Sequence, residues 1–176
     1  LLTKRGGIVM KTIEYTFIDK SEWIDGPWKQ EPDKVQWQDT VTGYPCLAVR
    51  GDLTGAWCGY VGVIDGHPAF KKDYDDVDVD IHGGLTFSDF CTINKKEHSI
   101  CHIPEEGEPD KVWWLGFDCA HWNDLQPSMF RDFMKYDISF LVYGGEKYRD
   151  LAYVQLECAE LAKQLQTILI HYRHPL

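Results

Sequence analysis

Residues 148–170 read YRDLAYVQLECAELAKQLQTILI, and this stretch decides the fold class. Its apolar side chains recur at the spacing of one helix face, as shown by Leu151, Val154, Cys158, Leu161, Leu165 and Ile168. No glycine or proline interrupts the run before Pro175. The spacing therefore predicts a long C-terminal helix that covers one face of a sheet. Four polar residues lie off the stripe and are predicted to face solvent: Glu157, Glu160, Lys163 and Gln164.

Upstream of the helix, short runs rich in valine, isoleucine and aromatic residues predict strands. The runs cover residues 46–50, 57–64, 77–82 and 112–118. The turn-forming connection at 51–55 favours an antiparallel pairing of the first two. Two long segments, 23–44 and 121–143, are rich in aromatic residues and are predicted to be irregular loops that either line a pocket or wrap the sheet. The resulting fold class is α+β, with a mainly antiparallel sheet.

Length and composition predict one folded domain. The chain has 176 residues, 44% hydrophobic and 14% aromatic, which is enough for one core and too little for two. Residues 1–9 precede Met10 without a periodic pattern, so we expect them to be upstream sequence. Residues 10–176 are then a single α+β domain.

The net charge argues against nucleic acid as a partner. Acidic side chains number 28 and basic ones 18, which gives a formal charge of -10 that repels phosphate backbones. The basic tracts are short, and no apolar run reaches the roughly 18 residues that span a bilayer. We therefore expect a cytoplasmic protein that binds neither nucleic acid nor membrane.

The acidic stretch DDVDVDIH at residues 75–82 is the strongest candidate for a functional site. Strand alternation places Asp78, Asp80 and His82 on one face. Neighbouring carboxylates on one face repel, so a divalent cation, a cationic ligand or solvent exposure must compensate. Histidine is both a metal ligand and an acid or base near neutral pH, and the glycine pair at 83–84 permits close backbone approach.

A second candidate is WWLGFDCAH at residues 113–121, where an apolar strand ends in Asp118 and His121. Asp118 either orients His121 or caps the following turn. If the two candidate strands are neighbours, both stretches converge on a site for acid/base chemistry or metal-assisted hydrolysis. The predicted catalytic residues are Asp80, His82, Asp118 and His121. The predicted ligands of a divalent metal are Asp78, Asp80, His82 and His121.

The six cysteines suggest buried thiols rather than disulfides in a cytoplasmic protein. Four lie within apolar runs and fit that interpretation: Cys46, Cys58, Cys119 and Cys158. A structural zinc site is an alternative for Cys91, His98, Cys101 and His102, although no Cys-x-x-Cys pair supports it. A Cys119 nucleophile paired with His82 or His121 is a further alternative.

Three motifs resemble a family of uncharacterised proteins that is common in phage and prophage genomes. They are DVDIHGGLTF at residues 78–87, WWLGFDCAH at 113–121 and YRDLAYV at 148–154, so the resemblance covers most of residues 26–165. It implies a phage-related setting in a bacterial host cell. It implies no particular activity, substrate or cofactor.

Two functional hypotheses follow. The first is a small hydrolase or acid/base enzyme that uses the histidine and aspartate cluster, with or without a divalent metal. The second is a non-catalytic phage accessory protein that binds a small metabolite, a nucleotide-like signal or a host protein. The first requires that His82 and His121 meet in one cleft.

Overall fold

The protein is described from a computed structural model that covers residues 12–91, 99–104, 109, 111–129 and 145–173. Within these ranges six strands form one sheet with the order β1-β2-β3-β4-β6-β5, and all neighbours are antiparallel. The strands are β1 (Ile13–Tyr15), β2 (Lys34–Gln38), β3 (Pro45–Arg50), β4 (Trp57–Val63), β5 (Phe87–Phe90) and β6 (Trp113–Asp118). A long helix, α1 (Leu151–Arg173), follows the sheet. The predicted α+β class, with an antiparallel sheet and a C-terminal helix, is confirmed.

Three of the predicted strands match β3, β4 and β6 to within one residue at each end. β3 and β4 pair across the 51–55 connection, as the turn residues indicate. β2 lies inside the segment that the sequence predicts to be irregular. The strand pattern is obscured because its sequence, KVQWQ, places two polar side chains at buried positions. Lys34 is fully buried and donates to the Cys101 carbonyl, while Gln36 donates to the Ile103 carbonyl. These long-range bonds satisfy the polar groups and override the weak local pattern.

Helix α1 packs its apolar stripe on β3 and β4. The Asp150 carboxylate accepts the backbone N–H of Tyr153 at 2.8 Å and so caps the first turn. Helix and sheet approach closely at Gly59, where an added Cβ would lie 2.9 Å from the Cys158 sulfur. A glycine on the central strand therefore admits the helix.

The sheet has an apolar cluster on each face. Toward α1, alternate residues of β3 and β6 join the helix stripe: Cys46, Ala48, Leu115 and Phe117. On the opposite face, the intervening residues Leu47, Val49 and Trp114 pack with Tyr60 and Val112. The period of two along each strand thus gives two half-cores.

The strand predicted at residues 77–82 is wrong, because this segment pairs with none of the described strands and ends in a turn at His82. It runs along α1, whose side chains bind its backbone. Gln164 accepts the Asp80 N–H and donates to the Asp80 carbonyl, both at 2.8 Å, and Glu157 accepts the His82 N–H at 3.1 Å. The prediction that Glu157 and Gln164 only face solvent is therefore also wrong.

The aromatic segment at 23–44 both packs on the sheet and lines a cavity of about 290 Å³, which Tyr44 borders. Trp23 and Trp28 are buried, with 6% and 5% of their surface exposed. In the second segment Trp122 is 73% exposed, and residues 130–143 lie outside the described residues. No helix in the described ranges is both long and apolar enough to cross a bilayer.

Candidate active site

An imidazole and a buried carboxylate form the centre of the candidate site. The Nε2 atom of His82 lies 2.8 Å from Oδ2 of Asp124. The Asp124 side chain is 1% exposed and the His82 side chain 12%. Burial alone would raise the pKa of Asp124, but hydrogen bonds from Arg149 and His82 outweigh it and hold the pKa below its usual value. Asp124 is therefore an ionised, buried partner of His82.

Arg149 holds the other oxygen of the same carboxylate. Its Nε donates to Oδ1 of Asp124 at 2.9 Å. A short parallel bridge fixes this pairing, since the Lys147 N–H binds the Asn123 carbonyl and the Leu125 N–H binds the Lys147 carbonyl. The bridge sets the segment before α1 beside the Asp124 turn.

A second imidazole lies against the first. The ring centroids of His82 and His121 are 5.7 Å apart. Nε2 of His121 is 3.6 Å from Oδ1 of Asp118, and this same oxygen accepts the Ala120 N–H at 3.0 Å. Asp118 thus caps the turn after β6 and faces His121 at a distance too long for a hydrogen bond, so its role in orienting that ring stays a prediction.

Gly83 makes room for the His121 ring. Its φ is +66°, and an added Cβ would lie only 1.9 Å from Nε2 of His121. That nitrogen is buried and has no hydrogen-bond partner among the described residues, whereas the His121 side chain as a whole is 34% exposed. Gly83 therefore covers Nε2 of His121, and other atoms of the ring account for the exposed part of the side chain.

The hydroxyl of Tyr153 completes the shell around His82. It lies 3.0 Å from Nδ1 of His82, and the Tyr153 ring is stacked under the Arg149 guanidinium at 4.7 Å. The ionised Asp124 only accepts hydrogen bonds, so Nε2 of His82 carries a hydrogen. In the neutral ring Nδ1 is then unprotonated and accepts the Tyr153 hydroxyl.

A small cleft opens next to this cluster. It has a volume of about 280 Å³ and is lined by Ala120, His121, Trp122, Asn123, Asp124, Gln126 and Glu146. Its wall is largely the turn from His121 to Asp124, in which Asn123 adopts a positive φ of 71°. The exposed imidazole and the buried carboxylate thus border one concave surface.

The structure brings three of the predicted catalytic residues together, namely His82, Asp118 and His121. Asp80 is not with them, and its side chain is exposed. The Asp80 backbone binds Gln164, whereas the His82 backbone binds Glu157, about two helical turns away along α1. Asp78 is exposed as well. Among the described residues no group of three or more His, Cys, Asp or Glu side chains is arranged to hold a metal ion, so the predicted metal set gains no support.

Sequence reasoning missed Asp124, Arg149 and Tyr153. Asp124 lies just past the WWLGFDCAH motif, and the other two lie within YRDLAYV. The signal that could have found them is the set of three distinctive motifs, which lie far apart in the chain. Since His82 and Gly83 belong to the first motif, residues of all three motifs meet at this site.

The cysteines give no support to the alternative sites. Cys91 and Cys101 are joined as a disulfide with Cα atoms 4.9 Å apart, and His98 lies outside the described residues. Cys119 is buried at 1% exposure, and burial raises its pKa far above that of a free thiol. A protonated, enclosed thiol is a poor nucleophile.

Comparison of the chain with known proteins gave no relatives. No family model, curated protein or solved structure matches it significantly. Function has to be argued from the site itself.

Proposed function

We propose that the protein is a small acid/base enzyme of the hydrolase type that acts on a small polar substrate at the His82/His121 site. The observation that carries the proposal is the approach of two imidazoles, 5.7 Å apart, each with its own aspartate partner. A hydrolytic step needs one group that takes a proton and another that returns one. Two oriented histidines meet that requirement near neutral pH.

The two histidines differ in access, which suggests different roles. Both ring nitrogens of His82 are engaged, by Asp124 and by Tyr153. His121 is partly exposed and borders the cleft. His121 is thus the candidate for direct proton exchange with substrate, while Asp118 orients its ring.

The test is hydrolysis of chromogenic nitrophenyl esters and phosphates by the purified protein. We expect His121→Gln and Asp118→Asn to lower kcat/KM on the substrate that is turned over, by about 10²-fold or more for the histidine. His171→Gln is the matched control, because His171 is an exposed histidine in the last turn of α1. Equal rates for His121→Gln, His171→Gln and wild type would contradict the proposal.

A second candidate function is a non-catalytic accessory protein that binds a small ligand. It is favoured by the hydrogen bonds that His82 makes at both ring nitrogens, because a histidine held in this way also serves to keep a binding surface rigid. A small metabolite or nucleotide-like signal would enter the cleft beside Trp122, and a host protein would cover it. Thermal stabilisation by a ligand without turnover would favour this function over catalysis. The phage setting and the cytoplasmic location stay predictions.

A further inference from the structure

We propose that Tyr153 is a nucleophile, activated by His82 and Asp124, that attacks the carbonyl carbon of a carboxylic ester. The inference deepens the proposed function and rests on it for the hydrolytic class of the reaction. The arrangement is a hydroxyl, an imidazole and a carboxylate in series, with contacts of 3.0 and 2.8 Å. A nucleophile bonded to a base that is itself oriented by a third group is the recurring geometry of covalent catalysis.

The direction of proton flow follows from the contacts. Asp124 fixes the hydrogen on Nε2 of His82 and leaves Nδ1 free to take the Tyr153 proton. Burial first, and then the charge of Glu157, raises the pKa of Tyr153, so the hydroxyl keeps its proton until a base removes it. His82 is that base.

Two neighbouring features stabilise the phenolate that forms during attack. The Arg149 guanidinium lies over the Tyr153 ring at 4.7 Å, and its charge favours the ionised form. Tyr153 also lies in the first turn of α1, at the positive end of the helix dipole. Asp150 fixes that turn by accepting the Tyr153 N–H.

The charge of the site selects a neutral substrate. Asp118, Asp124 and Glu157 surround the two histidines, and Arg149 is the cation bound among them. Three carboxylates outnumber the arginine even if one imidazole is protonated, so the cluster is net negative, which disfavours a dianionic phosphate ester. A carboxylic ester carries no such penalty.

The reaction balances without any further reactant except water. The Tyr153 oxygen bonds to the carbonyl carbon, its proton passes to Nδ1 of His82, and the alkoxide leaves with a proton from protonated His121. Water then attacks the acyl-tyrosine ester and gives a proton to His121, and the acid is released as the Tyr153 oxygen takes back the proton held by His82. No electron transfer is involved.

The test uses benzenesulfonyl fluoride on the full-length protein. The Tyr153 oxygen bonds to sulfur, fluoride leaves and His82 takes the proton. Tyr172 is the internal control, since it is 70% exposed and trypsin places it in a different peptide, 164–173, from Tyr153 in 150–163. We expect Tyr153 to be labelled about 10²-fold faster than Tyr172, because a positioned base accelerates proton removal by about that factor.

Variants and pH separate activation from simple exposure. His82→Gln should bring Tyr153 labelling down to the rate of Tyr172, with folding checked by thermal denaturation. In wild type the labelling rate of Tyr153 should rise less with pH than that of the exposed Tyr172, because His82 rather than solvent hydroxide removes the Tyr153 proton. The proposal is overturned if, in wild type, Tyr153 reacts no faster than Tyr172 or shows the same pH profile. This comparison uses wild type alone, so it holds even where His82→Gln does not fold.

The two proposals fail in different ways. If Tyr153→Phe hydrolyses nitrophenyl esters like wild type and like the control Tyr172→Phe, Tyr153 is not the nucleophile but the acid/base site stands. If wild type hydrolyses no ester while Tyr153 is still labelled rapidly, the activated hydroxyl stands and the hydrolase function fails.

Discussion

At the residue scale, Gly83 determines where the His121 ring can lie. The glycine has a positive φ, and its missing side chain leaves the space that Nε2 of His121 occupies. Gly84 also has a positive φ, of +83°, but an added Cβ there would meet nothing within 4 Å. The two glycines thus share a backbone requirement and differ in their contact with the site.

The comparison of Gly83→Ala with Gly84→Ala measures this contact. Left-handed backbone costs either alanine about 1–2 kcal/mol. Gly83→Ala adds a clash with His121, so its total loss of unfolding free energy should be about 3 kcal/mol. Urea denaturation gives both values.

The control for that clash is the His121→Ala background. There the cost of Gly83→Ala should fall to the cost of Gly84→Ala, because the obstructing ring is gone. An unchanged cost in that background would show that His121 does not lie over Gly83.

At the element scale, side chains of helix α1 bind the backbone of residues 77–82, as a neighbouring strand would. Residues 77–82 lie outside the sheet, and from the helix Gln164 and Glu157 bind the backbone groups of Asp80 and the N–H of His82. The two side chains are seven residues apart, which is about two turns on one side of a helix. The segment is thereby aligned along α1, and His82 reaches the end of the helix where Tyr153 and Arg149 lie.

Gln164→Ala tests this alignment. It removes two hydrogen bonds to the Asp80 backbone, and each is worth about 1 kcal/mol, so unfolding free energy should fall by about 2 kcal/mol. Lys163→Ala is the matched neighbour, since Lys163 is exposed and makes only a loose 3.5 Å ion pair with Glu160. Its cost should stay below about 0.5 kcal/mol in the same denaturant titration. Equal costs for the two variants would mean that Gln164 does not hold the segment.

At the scale of the whole molecule, a buried polar network joins the sheet to the start of α1. Arg50 of β3 is 2% exposed and donates to Glu31 at 2.7 Å and to the Gly55 carbonyl at 2.7 Å. Glu31 also accepts the Tyr148 hydroxyl and the N–H of Leu151. The residues on both sides of Arg149 are therefore tied to the sheet, and with them the arginine that binds Asp124.

Arg50→Met should be severely destabilising. The substitution leaves the Glu31 and Asp33 carboxylates without their shared cation, and breaking a buried pair from one side costs about 3–5 kcal/mol. The matched change is Lys29→Met, which removes the cation of an ion pair whose Asp25 partner is 98% exposed. That change should cost less than about 0.5 kcal/mol. A similar midpoint of chemical denaturation for both variants would contradict a structural role for the network.

The sequence by itself determined the elements in which the apolar residues of the local pattern are the residues that the fold buries. The apolar stripe of α1 and the short apolar runs of β3, β4 and β6 predict those elements to within a few residues. The local pattern is sufficient there because the helix buries one stripe and the strands are covered on both faces, so burial agrees with the sequence. The sequence also pointed to His82, Asp118 and His121, since ionisable side chains after apolar strands stand out.

Only the tertiary structure decided how the site is assembled. The alternation at 77–82 resembles a strand, but its backbone partners are helix side chains far along the chain, which no local pattern encodes. Asp124 and Tyr153 reach His82 across sequence separations of 42 and 71 residues. Each looks like an ordinary turn or helix residue when taken alone. Their joint role arises from packing that brings distant polar groups into a buried environment, where each must find a partner.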